Sequence, residues 1–257
     1  MLLASETGWE HTGRHFSTDK GVEIVIHVGT CGFGMSQDDY FATYESLEVQ
    51  KTFYQPPKPS TARRWRHKAP EDFIFTVKAW QVITHYPTSP TYRRCNISEE
   101  DKKQCGGFQT NDVVLQGWAK TLEIADILNA PLVLCQCPAS FEHTEEHKEN
   151  LRTFFSEVER DDRLVGWEPR GDWTEHAVQE LCEELDLIHV VDPFKDRQTH
   201  GGVNYFRMHG KTGYKYTYTE EDFAEIMDYV TEDTAYCMFN NMTMSEDARR
   251  FADYLES

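Results

Sequence analysis

The sequence has no long apolar run, no regular cysteine framework and few basic residues, and each absence narrows the class of protein. No stretch approaches the roughly 18 consecutive apolar residues of a membrane span, and residues 1–22 contain no apolar segment typical of a signal peptide. The seven cysteines are odd in number and irregularly spaced, which argues against a disulfide scaffold. We therefore expect a cytoplasmic protein without membrane contacts.

Positive charge is scarce relative to negative charge. The chain has 26 Lys and Arg residues against 44 Asp and Glu residues, which gives a net charge of -18. A field of this sign repels polyanions, so broad binding of duplex nucleic acid is not expected. A basic pocket within an acidic surface is still compatible with a small anionic substrate.

Short apolar segments recur along the chain and alternate with amphipathic helical patterns. They are rich in Val, Ile, Leu and Phe without strict alternation, as in strands buried on both faces. With 257 residues, the chain has the length of a (β/α)₈ barrel, which needs about 250. We predict a single α/β domain of this TIM-barrel type, with strands at Glu23–Gly29, Leu47–Lys51, Phe73–Lys78, Leu132–Gln136, Leu164–Glu168, Leu187–Asp192, Tyr205–Met208 and Ala235–Phe239.

Two segments fall outside this repeating pattern. Residues 1–22 are predicted to form an N-terminal arm, and residues 23–257 the barrel domain. Residues 86–110 contain two prolines and two adjacent glycines that interrupt any periodicity. A connection this long inside a compact domain is usually functional, so the segment is a candidate lid over the site.

Polar residues follow almost every predicted strand, at the rim where barrel enzymes carry their catalytic groups. Several directly adjoin apolar segments. A charge at the mouth of a barrel is unfavourable unless it is paired, so a convergent network is expected. The residues at these positions are Thr30, Cys31, Lys51, Thr52, Lys78, Gln136, Glu168, Arg170, Asp192, Arg207, His209, Asn240 and Asn241.

The side-chain types indicate chemical roles. Glu168 is the candidate general base or metal-binding carboxylate, whereas Lys78 and Arg207 would hold an anion or developing negative charge. Histidine as a residue type titrates near neutral pH, so His209 and His85 are expected to transfer protons. The alternative is structural: the charges pair with one another and close the barrel mouth.

No cofactor is assigned by a specific motif. If a divalent metal ion takes part, its candidate ligands are Glu168, Asp192 and His209. The segment His209–Gly213 (HGKTG) follows the seventh strand, where barrels often bind phosphate through backbone amides, and Gly210 would belong to such a loop. An ordinary glycine-rich turn explains it equally well.

A set of short motifs resembles the YecE-like family, also called domain of unknown function 72. The motifs run in the same order as in that family and span nearly the whole chain. They are Val28–Phe33 (VGTCGF), Glu48–Tyr54 (EVQKTFY), Phe73–Ala79 (FIFTVKA), Thr84–His85, Trp167–Arg170 (WEPR), Tyr205–Gly210 (YFRMHG) and Met238–Asn241 (MFNN).

The resemblance implies a (β/α)₈ barrel but no settled activity. It differs at Cys31, Gln50, Gln55 and Pro169, where the family usually has serine, asparagine, arginine and phenylalanine, and this leaves the charged set intact. The family's recurrent polar positions add Glu48 and His85 to the strand-end residues. We assign as catalytic candidates Glu168, Lys78, His209 and His85, and as substrate-binding candidates Thr30, Glu48, Arg170, Arg207, Gly210, Asn240 and Asn241.

Three functions are compatible with these residues. The first is an enzyme acting on a phosphorylated or otherwise anionic substrate, such as a hydrolase or lyase; its sharpest version is a metal-assisted phosphoesterase or nuclease-like enzyme. The second is a metal-free sugar or sugar-acid isomerase or aldolase-like enzyme, in which Lys78 acts as base or forms a Schiff base. The third is a non-catalytic ligand sensor or interaction protein.

Overall fold

The computed structural model describes residues 13–17 and 23–257, and its strands form one nine-stranded sheet. Eight strands, β2 to β9, are parallel and form the barrel wall, and β1 pairs antiparallel with β2. The strands are β1 (Arg14–Ser17), β2 (Glu23–Cys31), β3 (Ser46–Val49), β4 (Ile74–Lys78), β5 (Leu132–Gln136), β6 (Leu164–Glu168), β7 (Ile188–His189), β8 (Asn204–Met208) and β9 (Thr234–Phe239).

The helices lie on the outside of the barrel, in the connections between strands. They are α1 (Gln37–Thr43), α2 (Lys51–Tyr54), α3 (Pro59–Lys68), α4 (Gln81–Thr84), α5 (Glu99–Lys102), α6 (Asp112–Leu128), α7 (Glu145–Glu157), α8 (Glu175–Leu185), α9 (Glu220–Asp228) and α10 (Met244–Leu255). A 3₁₀ helix spans Pro90–Arg94. The predicted TIM-barrel class is therefore confirmed.

Helix α6 illustrates why these segments become helical. The Asn111 side chain accepts a hydrogen bond from the Val114 amide at 3.1 Å and so caps the helix N-terminus. Asn129 ends the helix in a left-handed conformation with φ 52°. Between the caps, Trp118 and Leu122 recur at helical spacing and are buried against the barrel wall. Burial of each such side chain contributes roughly 1.5–3 kcal/mol.

The barrel wall closes between β7 and β8, where regular strand pairing is shortest. The sequence predicts a strand over Leu187–Asp192, but regular pairing covers only Ile188–His189. The chain changes neighbours at this point: the Val190 amide bonds to Trp167 on β6, whereas the Val191 amide bonds to Tyr205 on β8. An isolated parallel bridge, Val191–Phe206, and the Arg207 amide bond to the Val191 carbonyl at 2.8 Å complete the wall.

Other boundaries also differ from those predicted, and two of the differences change the assignment of residues. Strand β3 ends at Val49, since Gln50 already has helical backbone angles, and Lys51 starts α2 as an exposed residue outside the barrel mouth. Of the predicted N-terminal arm, Arg14–Ser17 forms β1 and belongs to the sheet. Residues 1–12 and 18–22 lie outside the described residues.

The segment 86–110 is tied to the helical layer by backbone hydrogen bonds. The Gly106 amide donates to the Val82 carbonyl at 2.8 Å, and the Phe108 amide donates to the Ile83 carbonyl at 2.9 Å. Phe108 is fully buried against the aromatic rings of Phe141 and Phe154. The C-terminal part of the segment is thus part of the core, and its function as a lid stays a prediction.

Apolar side chains fill both the barrel interior and the space between barrel and helices. Leu132, Leu134, Ile188, Tyr205 and Met238 belong to the interior cluster. A larger cluster lies between the strands and the surrounding helices. Across residues 13–17 and 23–257, none of the helices has the length and apolar character needed to cross a membrane.

We expect Gly29→Ala to destabilise the protein, because β2 and β3 approach too closely there for a side chain. A Cβ atom at Gly29 would lie 2.4 Å from the Ser46 carbonyl oxygen, which belongs to the rigid backbone of β3. Overpacking of this kind typically costs about 1–3 kcal/mol. Urea denaturation provides the measurement, and Gly202→Ala is the control, since nothing lies within 4 Å of a Cβ there. Equal stability of the two variants would contradict the close approach.

Candidate functional site

The barrel mouth is organised around Arg207, a fully buried guanidinium on β8. Its Nε and Nη2 atoms donate to the two carboxylate oxygens of Glu48, each at 2.8 Å, and its Nη1 donates to Glu168 Oε2 at 2.5 Å. Burial alone would lower the pKa of Arg207, but Glu168 and Glu48 raise it well above the ordinary value. A permanently charged and rigidly held cation therefore occupies the centre of the barrel.

Glu168, at the end of β6, lies between two guanidinium groups. Its Oε1 atom accepts a hydrogen bond from Arg170 Nε at 2.8 Å, while Oε2 accepts from Arg207. Burial would raise the pKa of Glu168, but Arg207 and then Arg170 lower it to about 2. A carboxylate this acidic accepts a proton poorly near neutral pH, so Glu168 does not fit the predicted role of general base.

Arg170 continues the network to His209 and Asp192. Arg170 Nη2 donates to His209 Nε2 at 2.9 Å, which leaves the imidazole proton on Nδ1, 3.5 Å from Asp192 Oδ2. Burial lowers the pKa of His209, although the nearby Asp192 carboxylate opposes this shift. Its Nε2 atom is thus occupied by Arg170, whereas the buried Nδ1 atom lies near Asp192 without forming a hydrogen bond.

Lys78, at the end of β4, is the buried cation with the weakest pairing in this cluster. Only 5% of the residue is exposed, its Nζ donates to Gln136 Oε1, and the amine lies 4.0 Å from the centre of the Phe53 ring. Burial lowers the pKa of Lys78 and Arg207 lowers it further, to about 8, despite the opposing effect of Glu48. Roughly a tenth of this amine is therefore uncharged at pH 7, far more than of an ordinary lysine.

His85 follows α4 on the same side of the barrel. Its Nδ1 atom is 2.8 Å from Thr84 Oγ1, and its ring packs edge-on against Phe53, whose ring also contacts the Lys78 amine. Burial lowers the pKa of His85 to about 3, and the positive charge of Lys78 contributes. The imidazole is neutral and could exchange a proton only through its second nitrogen, Nε2.

The other predicted substrate-binding residues hold the loops of the rim. Thr30 Oγ1 donates to the Gly32 carbonyl at 2.8 Å, and Asn241 Nδ2 donates to the Tyr216 carbonyl at 2.7 Å. The Gly210 amide donates to the Tyr218 hydroxyl at 2.7 Å, so this amide is not free to bind phosphate. Asn240 is half-buried at the rim and has its side chain outside this network.

Tyr205 and Thr76 support the charge cluster around Arg207 from deeper in the barrel. Sequence reasoning did not identify them as site residues. The Tyr205 hydroxyl donates to Glu48 Oε2 at 2.9 Å and lies 2.7 Å from Thr76 Oγ1. Both lie two residues before a member of the cluster, Arg207 and Lys78 respectively. Because alternate residues of a strand point to the same side, this spacing was the signal that could have found them.

The proposed metal ligands do not fit a divalent cation. Across residues 13–17 and 23–257 no three His, Cys, Asp or Glu side chains are grouped so as to hold a metal ion. Both oxygens of Glu168 accept hydrogen bonds from guanidinium groups, and His209 Nε2 accepts from Arg170. A metal ion would have to displace these contacts and sit beside fixed positive charges, so the donor set argues against such a site.

Two cavities open beside this cluster. The smaller, about 70 Å³, is lined by Glu168, Arg170 and Asp192 together with residues of β7 and its following loop. The larger, about 360 Å³, lies further out, between the start of α8 and the loop after β7. The two cavities share Pro169, His189, Lys195 and Asp196 as lining residues.

A parallel eight-stranded barrel whose mouth is lined with paired charges defines the class of this protein, and comparison with known proteins assigns its family. The model of the family described as "Protein of unknown function DUF72" matches residues 37–257. The chain therefore belongs to this family, for which YecE-like is a synonym. The resemblance inferred from the sequence motifs is confirmed. No curated protein matches the sequence.

Solved structures share the fold at low sequence identity. A family member from Enterococcus faecalis V583 has a TM-score of 0.68 and 20% identity, covering 90% of this chain and 98% of its own. Another, from Thermotoga maritima MSB8, has a TM-score of 0.63 and 21% identity over 90% and 99% of the two chains. A D-psicose 3-epimerase, determined in the presence of D-fructose, reaches 0.55 with 12% identity over 89% and 94%.

We expect Arg207→Met to destabilise the protein strongly at neutral pH. The change leaves the buried carboxylates of Glu48 and Glu168 without their shared cation, and breaking a buried pair typically costs about 3–5 kcal/mol. Without that cation the Glu168 carboxyl group is more readily protonated, so the deficit relative to wild type should shrink as the pH falls below neutral.

Chemical denaturation at several pH values provides this comparison. Arg249→Met is the matched control, because within the described part of the chain Arg249 pairs only with Asp253 on the surface of α10. A deficit that stays constant with pH, or that equals the control, would contradict the central role of the Arg207 guanidinium.

Proposed function

We propose that this protein is a metal-free enzyme acting on a small carbonyl compound of the sugar or sugar-acid class, with Lys78 as the reacting amine. The observation that carries the proposal is the buried Lys78 amine at the barrel mouth, whose pKa is lowered to about 8. Lysines that act as bases or form Schiff bases need a low pKa, because only the uncharged amine has a free electron pair.

The chemistry can follow either of two routes from this uncharged amine. In the first, the Lys78 nitrogen attacks the carbonyl carbon, and the oxygen leaves as water with one proton from the amine and one from solvent. The resulting protonated imine withdraws electrons from the adjacent carbon, which makes both the carbon–hydrogen and the carbon–carbon bonds of that carbon labile, as isomerisation and aldol cleavage require. In the second, the amine directly removes the proton on the carbon next to the carbonyl, which supports isomerisation only.

The ion pairs of Arg207 with Glu48 and Glu168 support the role of Lys78 indirectly. The guanidinium of Arg207 is committed to Glu48 and Glu168 and is fully buried, so we do not assign it direct contact with substrate. Its fixed positive charge instead disfavours protonation of Lys78. Arg207 is therefore a positioning and charge-tuning residue in this proposal.

Arg170 is better placed than Arg207 to bind an acidic substrate. About 33% of its side chain is exposed, and it lines the small cavity beside Glu168. A sugar-acid carboxylate could pair with its outer N–H groups. His85, neutral and in contact with the same Phe53 ring as Lys78, is the candidate to carry a proton to or from the substrate oxygen.

The metal-assisted phosphoesterase hypothesis receives less support. It assigned metal binding or base catalysis to Glu168, whose oxygens are held by two guanidinium groups and whose pKa is lowered to about 2. The phosphate loop at Gly210 is likewise closed by the Tyr218 hydroxyl. The likeness to the D-psicose 3-epimerase, at 12% identity, concerns the fold only.

Borohydride trapping tests the imine route. We expect incubation with sugars, sugar acids and small aldehydes, followed by sodium borohydride, to give an adduct on Lys78 that peptide mass spectrometry locates. Lys78→Met should abolish this adduct, whereas Lys51→Met, which removes an exposed lysine just beyond β3, should leave it unchanged.

The direct base route is tested with the same compounds by a second measurement. Exchange of the proton next to the carbonyl for solvent deuterium, followed by NMR, should occur with wild type and disappear in Lys78→Met. If neither an adduct at Lys78 nor Lys78-dependent exchange is found with any carbonyl compound, the proposal is overturned.

The reactivity of Lys78 should rise with pH through about 8. The pKa of Lys78 is lowered to about 8, so its reactive uncharged form accumulates above that pH. An ordinary lysine reaches the same uncharged fraction only at a pH of about 10.4. Reductive methylation with limiting formaldehyde at a series of pH values, resolved by peptide mass spectrometry, measures the midpoint. A midpoint at the ordinary lysine value would remove the basis for assigning Lys78 as the reacting amine.

A further inference from the structure

The larger cavity beside the barrel mouth has the size and lining of a ligand site. Its volume of about 360 Å³ lies in the range of roughly 300–1,000 Å³ that small-molecule sites occupy. It is formed by Trp173 and Glu175 at the start of α8, by the loop after β7, and by Tyr229 just beyond α9. The charge network of the barrel mouth does not by itself explain why this larger cavity is present.

Hydrogen-bond donors line one part of this cavity. His189 is 5% exposed, and its Nδ1 atom accepts a hydrogen bond from the Thr199 amide at 3.2 Å. Burial lowers the pKa of His189 to about 4, so the ring is neutral and carries its proton on the other nitrogen, Nε2. His189 therefore provides a donor without adding charge to the cavity.

Arg197 provides a second, more exposed set of donors. Its guanidinium carbon lies 3.8 Å from the centre of the Tyr229 ring, which fixes the plane of the group. Among the described residues, Arg197 forms no ion pair, unlike neighbouring Lys195, which pairs with Asp192 at 3.4 Å. A stacked guanidinium of this kind is preorganised to donate to a ligand.

Acceptors balance these donors. The carboxylates of Glu175 and Asp196 also line the cavity, so its charged lining consists of two carboxylates and two cations, Lys195 and Arg197. The lining has no net charge and therefore gives little advantage to an anion or a cation. A ligand that both donates and accepts hydrogen bonds and carries no net charge matches it best.

We propose that this cavity binds a neutral polyhydroxylated ligand, such as a sugar unit, through Arg197, His189 and the two carboxylates. Hydroxyl groups are both donors and acceptors and can therefore use every polar group of the lining. The cavity shares His189, Lys195 and Asp196 with the small cavity beside Glu168. The small cavity is lined by Glu168, which belongs to the same charge cluster as Lys78. We therefore place the bound sugar as a further unit of the substrate that reacts at Lys78, a connection that rests on the proposed function.

The experiment uses non-reducing probes, which bind without forming an imine. Methyl glucoside, methyl galactoside, trehalose and sorbitol are titrated into the full chain, with gluconate as the anionic probe and glutamine as the zwitterionic probe. Saturation-transfer NMR detects binding, and the Trp173 indole resonance, assigned with Trp173→Phe, reports its location. We expect at least one neutral probe to bind and shift this resonance, and gluconate and glutamine to bind at least about tenfold more weakly.

Arg197→Ala should weaken binding of that neutral probe by about tenfold or more, because a charged donor is lost. Arg249→Ala is the control, since Arg249 lies on α10 and pairs with Asp253. Lys78→Met should bind the probe as wild type does, so a failure of the proposed reaction does not affect this result. Binding of no neutral probe, tighter binding of gluconate or glutamine, or equal affinity in Arg197→Ala would overturn the proposal.

Discussion

The contact between Arg207 and its two carboxylate partners is the interaction on which the centre of this protein depends. Glu48 and Glu168 come from β3 and β6, on different sides of the barrel, and Arg207 on β8 joins them across the interior. Each of these charges would be strongly unfavourable alone in a buried position. Together they are paired by several hydrogen bonds, so the three strands are held in one relative arrangement.

The same pairing separates the chemical properties of the surrounding groups. It keeps Glu168 ionised, with a pKa lowered to about 2, while the positive charge of Arg207 helps to lower the pKa of Lys78 to about 8. One fixed cation thus lowers the pKa of a neighbouring carboxyl group and adds to the effect of burial in lowering the pKa of a neighbouring amine. Divergence of this kind between neighbouring titratable groups is typical of sites that transfer protons.

The fold could be predicted from the sequence because its signals are local. The buried strands are short apolar segments, and α6 begins and ends at capping residues that can be read directly from the chain. The strand-end positions also indicated Lys78, Glu168 and Arg207. Their pairing could not be predicted, because the partner of Arg207 is decided by closure of the barrel and not by neighbours in sequence.

Glu48 shows most clearly where strand-end reasoning fails. It is the penultimate residue of β3 and fully buried, as Arg207 is the penultimate residue of β8, but the predicted strand Leu47–Lys51 enclosed it. Only the family resemblance indicated it. Lys51, in contrast, follows the predicted strand but is exposed, because Gln50 already turns into α2. The missing information is the direction of each side chain, which depends on the exact residue where the strand ends.

The seam between β7 and β8 links the mechanical integrity of the wall to its chemistry. Regular pairing of β7 covers two residues, and the bonds that complete the circle there include the one between the Arg207 amide and the Val191 carbonyl. Amide hydrogens exchange earliest where backbone pairing is sparse, so we expect local opening of the barrel wall between β7 and β8. Because the Arg207 amide takes part in this closure, one residue joins the barrel wall through its backbone and the charge cluster through its side chain.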